Sequence, residues 1–214
     1  MFVLGIHTAG PACDVALVRG EEILAETLVP MTRGQDAQLP GLVDRLLQRT
    51  ETTLGEIDRF AVVTGPGSFT GIRVGVAFAR GLSLATGAPS IGVTSLEAAL
   101  PDGQQGSAIV ALPAQKRPPD ITFWTQSFRT GMPTGEATEM SAAHLNAKLS
   151  EHPHLVFGDT EALSAHLEGA QIHAATPTAR RAAQFAATLD PEVHPARPTY
   201  ARNPDAALPG SKTA

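Results

Sequence analysis

The residues best placed to do chemistry lie in one glycine-rich turn, Gly65-Pro66-Gly67-Ser68-Phe69-Thr70-Gly71. Free backbone N–H groups at the start of a helix, together with the helix dipole, attract anions. The candidate anion-binding residues are therefore Gly65, Gly67, Ser68, Thr70 and Gly71, with Ser68 or Thr70 as the helix cap. Two specific nucleotide motifs are excluded. Ile72-Arg73 stand where a P-loop has Lys-Ser/Thr, and Thr70 stands where a dinucleotide fingerprint has its third glycine. No acidic residue closes the next strand, Ser90–Val93, to hold a ribose. An anion site and a plain tight connection both remain open for the loop.

Other chemistries have weaker footing. Ser68 does not sit in a Gly-x-Ser-x-Gly elbow, so no acyl-transfer nucleophile is identified. The histidines are His7, His144, His152, His154, His166, His173 and His194, and none forms an i, i+4 pair able to hold a metal from one helix face. His152-Pro153-His154 reads as a surface loop. Cys13, the single cysteine, cannot form an internal disulfide, and its flanks Ala12 and Asp14 do not activate a thiolate. No metal and no cofactor are expected.

These residues need elements to position them. Phe60–Val63 reads as a buried strand, the glycines and Pro66 turn the chain, and a helix then runs to Gly87, a favourable C-terminal cap. Before it, strands are predicted at Phe2–Thr8, Asp14–Arg19 and Ile23–Val29, joined by short turns as a meander. Leu39, Leu42, Val43, Leu46 and Leu47 repeat with helical spacing, giving an amphipathic helix over 37–50 with Pro40 in its first turn. After Ser90–Val93 a short helix starts with Ser95 as its cap. Further on, strands are expected at Ser107–Leu112, Ile121–Phe128, Leu155–Phe157 and Gln171–Ala174. Helices are expected from Ser141 to Ser150, Thr160 to Leu167 and Thr178 to Leu189. The prolines at 191, 195, 198, 204 and 209 mark an extended tail.

Along the helix after the loop, Gly71, Gly75, Ala79, Ser83 and Gly87 recur every four residues. Each interior glycine costs a helix about 1 kcal/mol relative to alanine, and close approach of another helix is the usual compensation. Such a row makes a groove along an i±4 ridge. The helix that fills it belongs either to this chain or to another subunit.

The chain has 214 residues, 43% of them hydrophobic and 17% charged, enough for one or two domains with a real core. Its net charge of −5 comes without a basic stripe, which argues against tight nucleic-acid binding by the chain alone. Neither a signal peptide nor a run of about 20 apolar residues is seen, so the expected location is the cytoplasm.

The run Gly65 to Arg73, with Gly81-Leu82 and Gly92-Val93-Thr94-Ser95-Leu96, closely resembles the TsaB (YeaZ) family of bacterial tRNA threonylcarbamoyladenosine (t6A) proteins. Pro198-Thr199-Tyr200-Ala201-Arg202 resembles that family's C-terminal Pro-x-Tyr-x-Arg signature. The resemblance implies a two-lobed α/β fold of the actin/sugar-kinase/Hsp70 (ASKHA) type with a reduced second lobe. The lobes would span 1–100 and 101–190, followed by the tail 191–214. It implies a non-catalytic subunit that binds the catalytic subunit TsaD and the ATPase TsaE, meets tRNA only through that complex, and forms a homodimer when alone. The docking surface would be two helices, with Leu39, Leu42, Leu46, Gly71, Gly75, Ala79 and Ser83 at the partner interface. Three departures stand out. His7 replaces the aspartate expected after the first strand, Arg33-Gly34-Gln35-Asp36 lacks the histidine expected before the first helix, and Leu112 to Arg117 lacks an Asp-Ala-Arg-like stretch. Magnesium prefers oxygen ligands, so His7 counts against the alternative of an ASKHA-type ATPase or small-molecule phosphotransferase. A scaffold for some other partner is the third class.

Overall fold

A computed structural model describes residues 1–115, 121–151 and 154–199. Lys116-Arg117, His152-Pro153 and the chain from Tyr200 onward, including most of the C-terminal signature, lie outside the described residues. Strands β1 (Phe2–His7), β2 (Ala12–Arg19) and β3 (Glu22–Pro30) form the expected antiparallel meander. Helix α1 (Gln35–Arg49), a 3-10 turn (Leu54–Glu56), strand β4 (Arg59–Val63), helix α2 (Phe69–Thr86), strand β5 (Ser90–Val93) and helix α3 (Ser95–Ala99) follow. The first sheet has the order β3-β2-β1-β4-β5, with β4 and β5 parallel to β1. The strands β1, β2 and β4 are buried almost end to end, because helices cover both faces of the sheet.

The second sheet contains β6 (Ser107–Gln115), β7 (Thr122–Arg129), β8 (Met132–Pro133), β9 (Thr138–Ser141), β10 (Leu155–Gly158) and β11 (Gln171–Ala174), in the order β11-β10-β6-β7-β8 with β9 also on β7. Helices α4 (Ala142–Glu151) and α5 (Thr160–Ser164) cover one face through Leu145, Leu149 and Leu163. On the other face, Leu96, Ala99 and Leu100 of the α3 segment pack on Val110, Phe128 and Phe157. Helix α3 thus fills the seam between the two sheets.

Helix α6 (Ala179–Ala186) follows the second sheet in the sequence but packs on the first, where Ala182, Ala183, Phe185 and Ala186 join the larger core. This moves the end of the chain across the boundary expected at residue 100. Asp14 on β2 accepts the Ala179 N–H at 2.7 Å, and Arg59 on β4 donates to the carbonyls of Ala186 and Leu189 at 2.9 and 2.6 Å. An anion at the helix N-terminus and a cation at its C-terminus both complement the dipole. Between these clamps, a Cβ at Gly5 would run into the Ala179 carbonyl, so this glycine lets helix and strand touch.

The described tail also belongs to the first sheet. Residues 191–193 form a turn, with His194 N–H donating to the Asp190 carbonyl at 3.0 Å, and the chain then meets the free edge of β5, where Pro195 bridges Ile91 and Gly92 N–H donates to the His194 carbonyl at 2.9 Å. Among the described residues, no helix is long and apolar enough to cross a membrane.

Two caps differ from expectation. Helix α1 starts at Gln35, after Gly34 in the left-handed region (φ 84°), so Pro40 sits in the second turn rather than the first. The carbonyl of Asp36 that loses its bond there lies on the exposed side of the helix. Thr94, not Ser95, caps α3, in a capping box with Glu97.

Candidate functional site

The glycine loop is tied to three other parts of the chain. Ser68 N–H donates to the Ala9 carbonyl at 2.8 Å, Ser95 N–H to the Gly65 carbonyl at 2.7 Å, and Ser95 Oγ to the Pro66 carbonyl at 2.6 Å. Thr199 N–H donates to the Thr64 carbonyl at 2.9 Å. Gly65, at φ 112°, holds a conformation that side-chain-bearing residues rarely adopt, and the Gly65–Pro66 peptide is cis. A Cβ at Gly67 would meet the Ala9 carbonyl. Ser68 caps α2 by accepting the Gly71 N–H at 3.3 Å, and Gly87 ends the helix at φ 81°. Of the five candidate anion-binding residues, Gly65 and Gly71 are buried, while Gly67, Ser68 and Thr70 are exposed. The N–H groups of Ser68 and Gly71 are spent on partners within the chain. The bonds that place the loop are those of a tight connection.

The row of small residues on α2 faces inward. A Cβ at Gly71 would run into the Thr8 carbonyl, and one at Gly75 would press on Thr8 Oγ1 and Val62. Thr8 Oγ1 also donates to the Gly71 carbonyl at 2.7 Å, locking helix to strand. Ala79 is fully buried. The row is filled by this chain's own β1 and β4, not by a second helix. Leu39, Leu42 and Leu46 are likewise buried in the core under α1. Of the seven residues expected at a partner interface, Ser83 alone is half-exposed, and the others are buried. The other six are corrected to core positions, because their spacing marks the face that packs on the sheet.

The open face of this layer lies beside that row. Val74, Phe78 and Leu82 follow Gly71, Gly75 and Ala79 by three residues, about 60° around the helix, and they are half-buried. With exposed Ala77 and Gly81 they line an apolar groove of about 580 Å³ between α2 and the start of α1, where Asp36 and Leu39 close it. Arg73 stands at its mouth with its guanidinium 3.8 Å from the ring centre of Phe69. The sequence held one signal for this face: α2 is apolar nearly all round, which a helix covered on one side only does not need.

On the far face of the first sheet, His7 and Asp14 are cross-strand partners. Both are buried, and His7 Nδ1 has no hydrogen-bond partner among the described residues. Burial pulls the His7 imidazole down to about 4, so it is neutral near pH 7. Burial pushes the Asp14 carboxyl up to about 6, against the pull of the Ala179 N–H. Cys13 is buried, and burial with the neighbouring Asp14 charge raises its thiol to about 11, which makes it inert. Among the described residues, no group of three or more His, Cys, Asp or Glu comes together to hold a metal ion.

Comparison with known proteins bears on both lobes. A family model described as TsaD, tRNA N6-adenosine threonylcarbamoyltransferase, matches residues 29–114. The tRNA threonylcarbamoyladenosine biosynthesis protein TsaB of Escherichia coli (strain K12) is 39% identical over 97 residues, 45% of this chain and 41% of that protein. The chain spans about half the length, or less, of the curated TsaB proteins it matches. In structure it is similar to YeaZ from Pseudomonas aeruginosa, with TM-score 0.74 and 19% identity over 93% of this chain and 99% of that one. A ROK hexokinase from Thermus thermophilus superposes with TM-score 0.54 at 14% identity, over 87% and 97% of the two chains. The fold is the two-lobed ASKHA α/β fold.

Proposed function

Because this chain is similar to TsaB proteins in sequence over about half of its length and to YeaZ in fold over nearly all of it, we propose that it is a non-catalytic docking subunit for t6A modification of tRNA. In this reading it acts in the cytoplasm. It binds a TsaD-type transferase through the face made by α1 and α2, with a TsaE-type ATPase joining the assembly, and reaches tRNA only through them. The observation that carries the proposal is the apolar groove at Val74, Ala77, Phe78, Gly81 and Leu82. A folded monomer gains nothing by leaving such a groove open, and open apolar surface of this kind marks binding sites. Without the transferase, the same face pairs with its copy in a homodimer.

A phosphotransferase on the same fold would need an oxygen ligand at the end of β1. A buried neutral imidazole stands there instead. The deciding experiment is size-exclusion chromatography of the pure chain, alone and mixed with the TsaD-type transferase of the same organism. The expected result is a self-paired species that converts to a mixed complex. Separate elution at micromolar concentrations, together with Mg²⁺-dependent ATP turnover by the pure chain, overturns the reading.

A further inference from the structure

We propose that the α1–α2 face is charge-selective, and that it takes a partner helix bearing carboxylates in preference to a second copy of this chain. The inference rests on the docking reading above and adds the chemical class of the partner. The groove itself is apolar, but the charges on its α2 side are of one sign. Helix α2 carries Arg73 and Arg80 and no acidic residue. No Asp or Glu occurs anywhere between Asp58 and Glu97, in a chain whose net charge is −5. A cationic wall on an acidic molecule is a local feature, not a reflection of overall composition.

Both arginines are exposed. They stand seven residues apart, two turns of helix, which sets their Cα atoms about 10 Å apart on one side of α2; Arg73 lines the groove, and Arg80 lies just outside its lining, next to Gly81. Arg73 is held over the Phe69 ring at the start of α2. Arg80 forms no ion pair among the described residues. Across the groove, α1 is balanced, with Asp36 and Asp44 against Arg45 and Arg49. Asp44 accepts the Gln48 amide at 2.8 Å, and Arg49 donates to Thr27 Oγ1 at 3.0 Å, so both are partly engaged within the chain. Among the described residues, Asp36 is the one carboxylate lining the groove.

A two-fold homodimer brings this face against itself. Pairing α2 with α2 sets Arg73 and Arg80 near their own copies, with little counter-charge between them. Like charges across an interface suppress a pairing, while complementary ones speed the encounter. A foreign helix with an apolar stripe flanked by Asp or Glu about two turns apart meets both requirements, and a second copy meets only the apolar one.

The test uses the full chain and the purified TsaD-type transferase as probe, with association rates measured at low salt and at roughly 0.5 M salt, where screening is nearly complete beyond a few ångströms. Arg80→Glu is expected to slow association about tenfold at low salt and to lose that defect at high salt, while the neutral Arg80→Gln, which removes the like-charge contact between copies, is expected to self-associate more tightly than the parent. Gly81→Leu, which fills the groove at a position with open space, serves as the docking control. If Arg80→Glu associates at the parental rate at low salt while Gly81→Leu does not bind, the docking reading stands and the charge proposal is overturned. Unchanged or weaker self-association of Arg80→Gln also overturns the stated preference. If Gly81→Leu binds normally, the docking reading falls and takes the charge proposal with it.

Discussion

The two faces of α2 use small residues for opposite ends. On the inner face, Gly71 and Gly75 have no room for a side chain, since β1 and the end of β4 occupy it. On the outer face, Gly81 has open space around it and sits in a groove with Phe78 and Leu82. The same residue type, on the same helix, is a packing requirement at one position and a vacancy at another. A row of small residues therefore marks close approach but does not say by what. Here the approaching body is the chain's own strand, and the apolar surface left open is built from the larger residues alongside.

Substitutions should separate the two faces. The largest expected effect is on folding: Gly75→Leu forces a branched side chain against Thr8 and Val62, and overpacking of this kind costs about 3 kcal/mol or more. A drop in the urea midpoint, with binding lost only as the protein unfolds, is the expected outcome. A fully stable Gly75→Leu that merely fails to bind would return the inner row to the interface. Next is assembly: Gly81→Leu should abolish the mixed complex while raising stability by about 1 kcal/mol, because leucine is the better helix former. Loss of stability without loss of binding would reverse the assignment of that face.

The face of the sheet under α6 provides a third case, read through pH. His7 titrates at about 4 in the folded chain, below its ordinary 6.5, so the unfolded chain takes up the proton first. Its contribution is present above pH 6.5 and is lost as pH falls toward 4. Asp14 titrates at about 6, above its ordinary 3.8, so the folded chain takes up that proton first. Its contribution grows as pH falls from 6 toward 4. The two oppose each other over nearly the same window and leave the parent's stability almost flat from pH 6 to 4. Asp14→Asn keeps an acceptor for the Ala179 N–H and removes one side of the balance. Its stability should then fall by about 1 kcal/mol per pH unit on acidification, measured by urea unfolding at several pH values. An equally flat profile in the variant would show that the imidazole does not titrate as burial dictates. The smallest effect expected is at the α3 cap, where Thr94→Ala should cost about 1 kcal/mol, visible as a small fall in Tm with assembly unchanged.

Much of the fold was legible in local pattern. The strand at Ser90–Val93 and that at Gln171–Ala174 have the predicted bounds, and Ser141, Thr178 and Gly87 cap helices as their types suggest. The short strands β8 and β9 were not legible. Met132-Pro133 and Thr138–Ser141 carry little apolar alternation, and they exist as strands because β7 supplies their hydrogen bonds. Helix α6 was legible as a helix, but not its side of the molecule. That depended on Asp14 and Arg59, more than a hundred residues earlier, meeting its two ends.

The candidate site divides in the same way. The sequence by itself determined that a strand, a glycine turn and a long helix follow one another, that the helix is apolar on more than one side, and that its charges are all positive. Those properties are set by neighbours along the chain, through backbone freedom, capping and helical period. Only the tertiary structure decided which apolar side was already covered. A helix face can be satisfied by any surface that reaches it, and the surface that did so, the chain at Thr8 just past β1, is distant in sequence, so the glycines of the helix mark a close approach without naming what approaches.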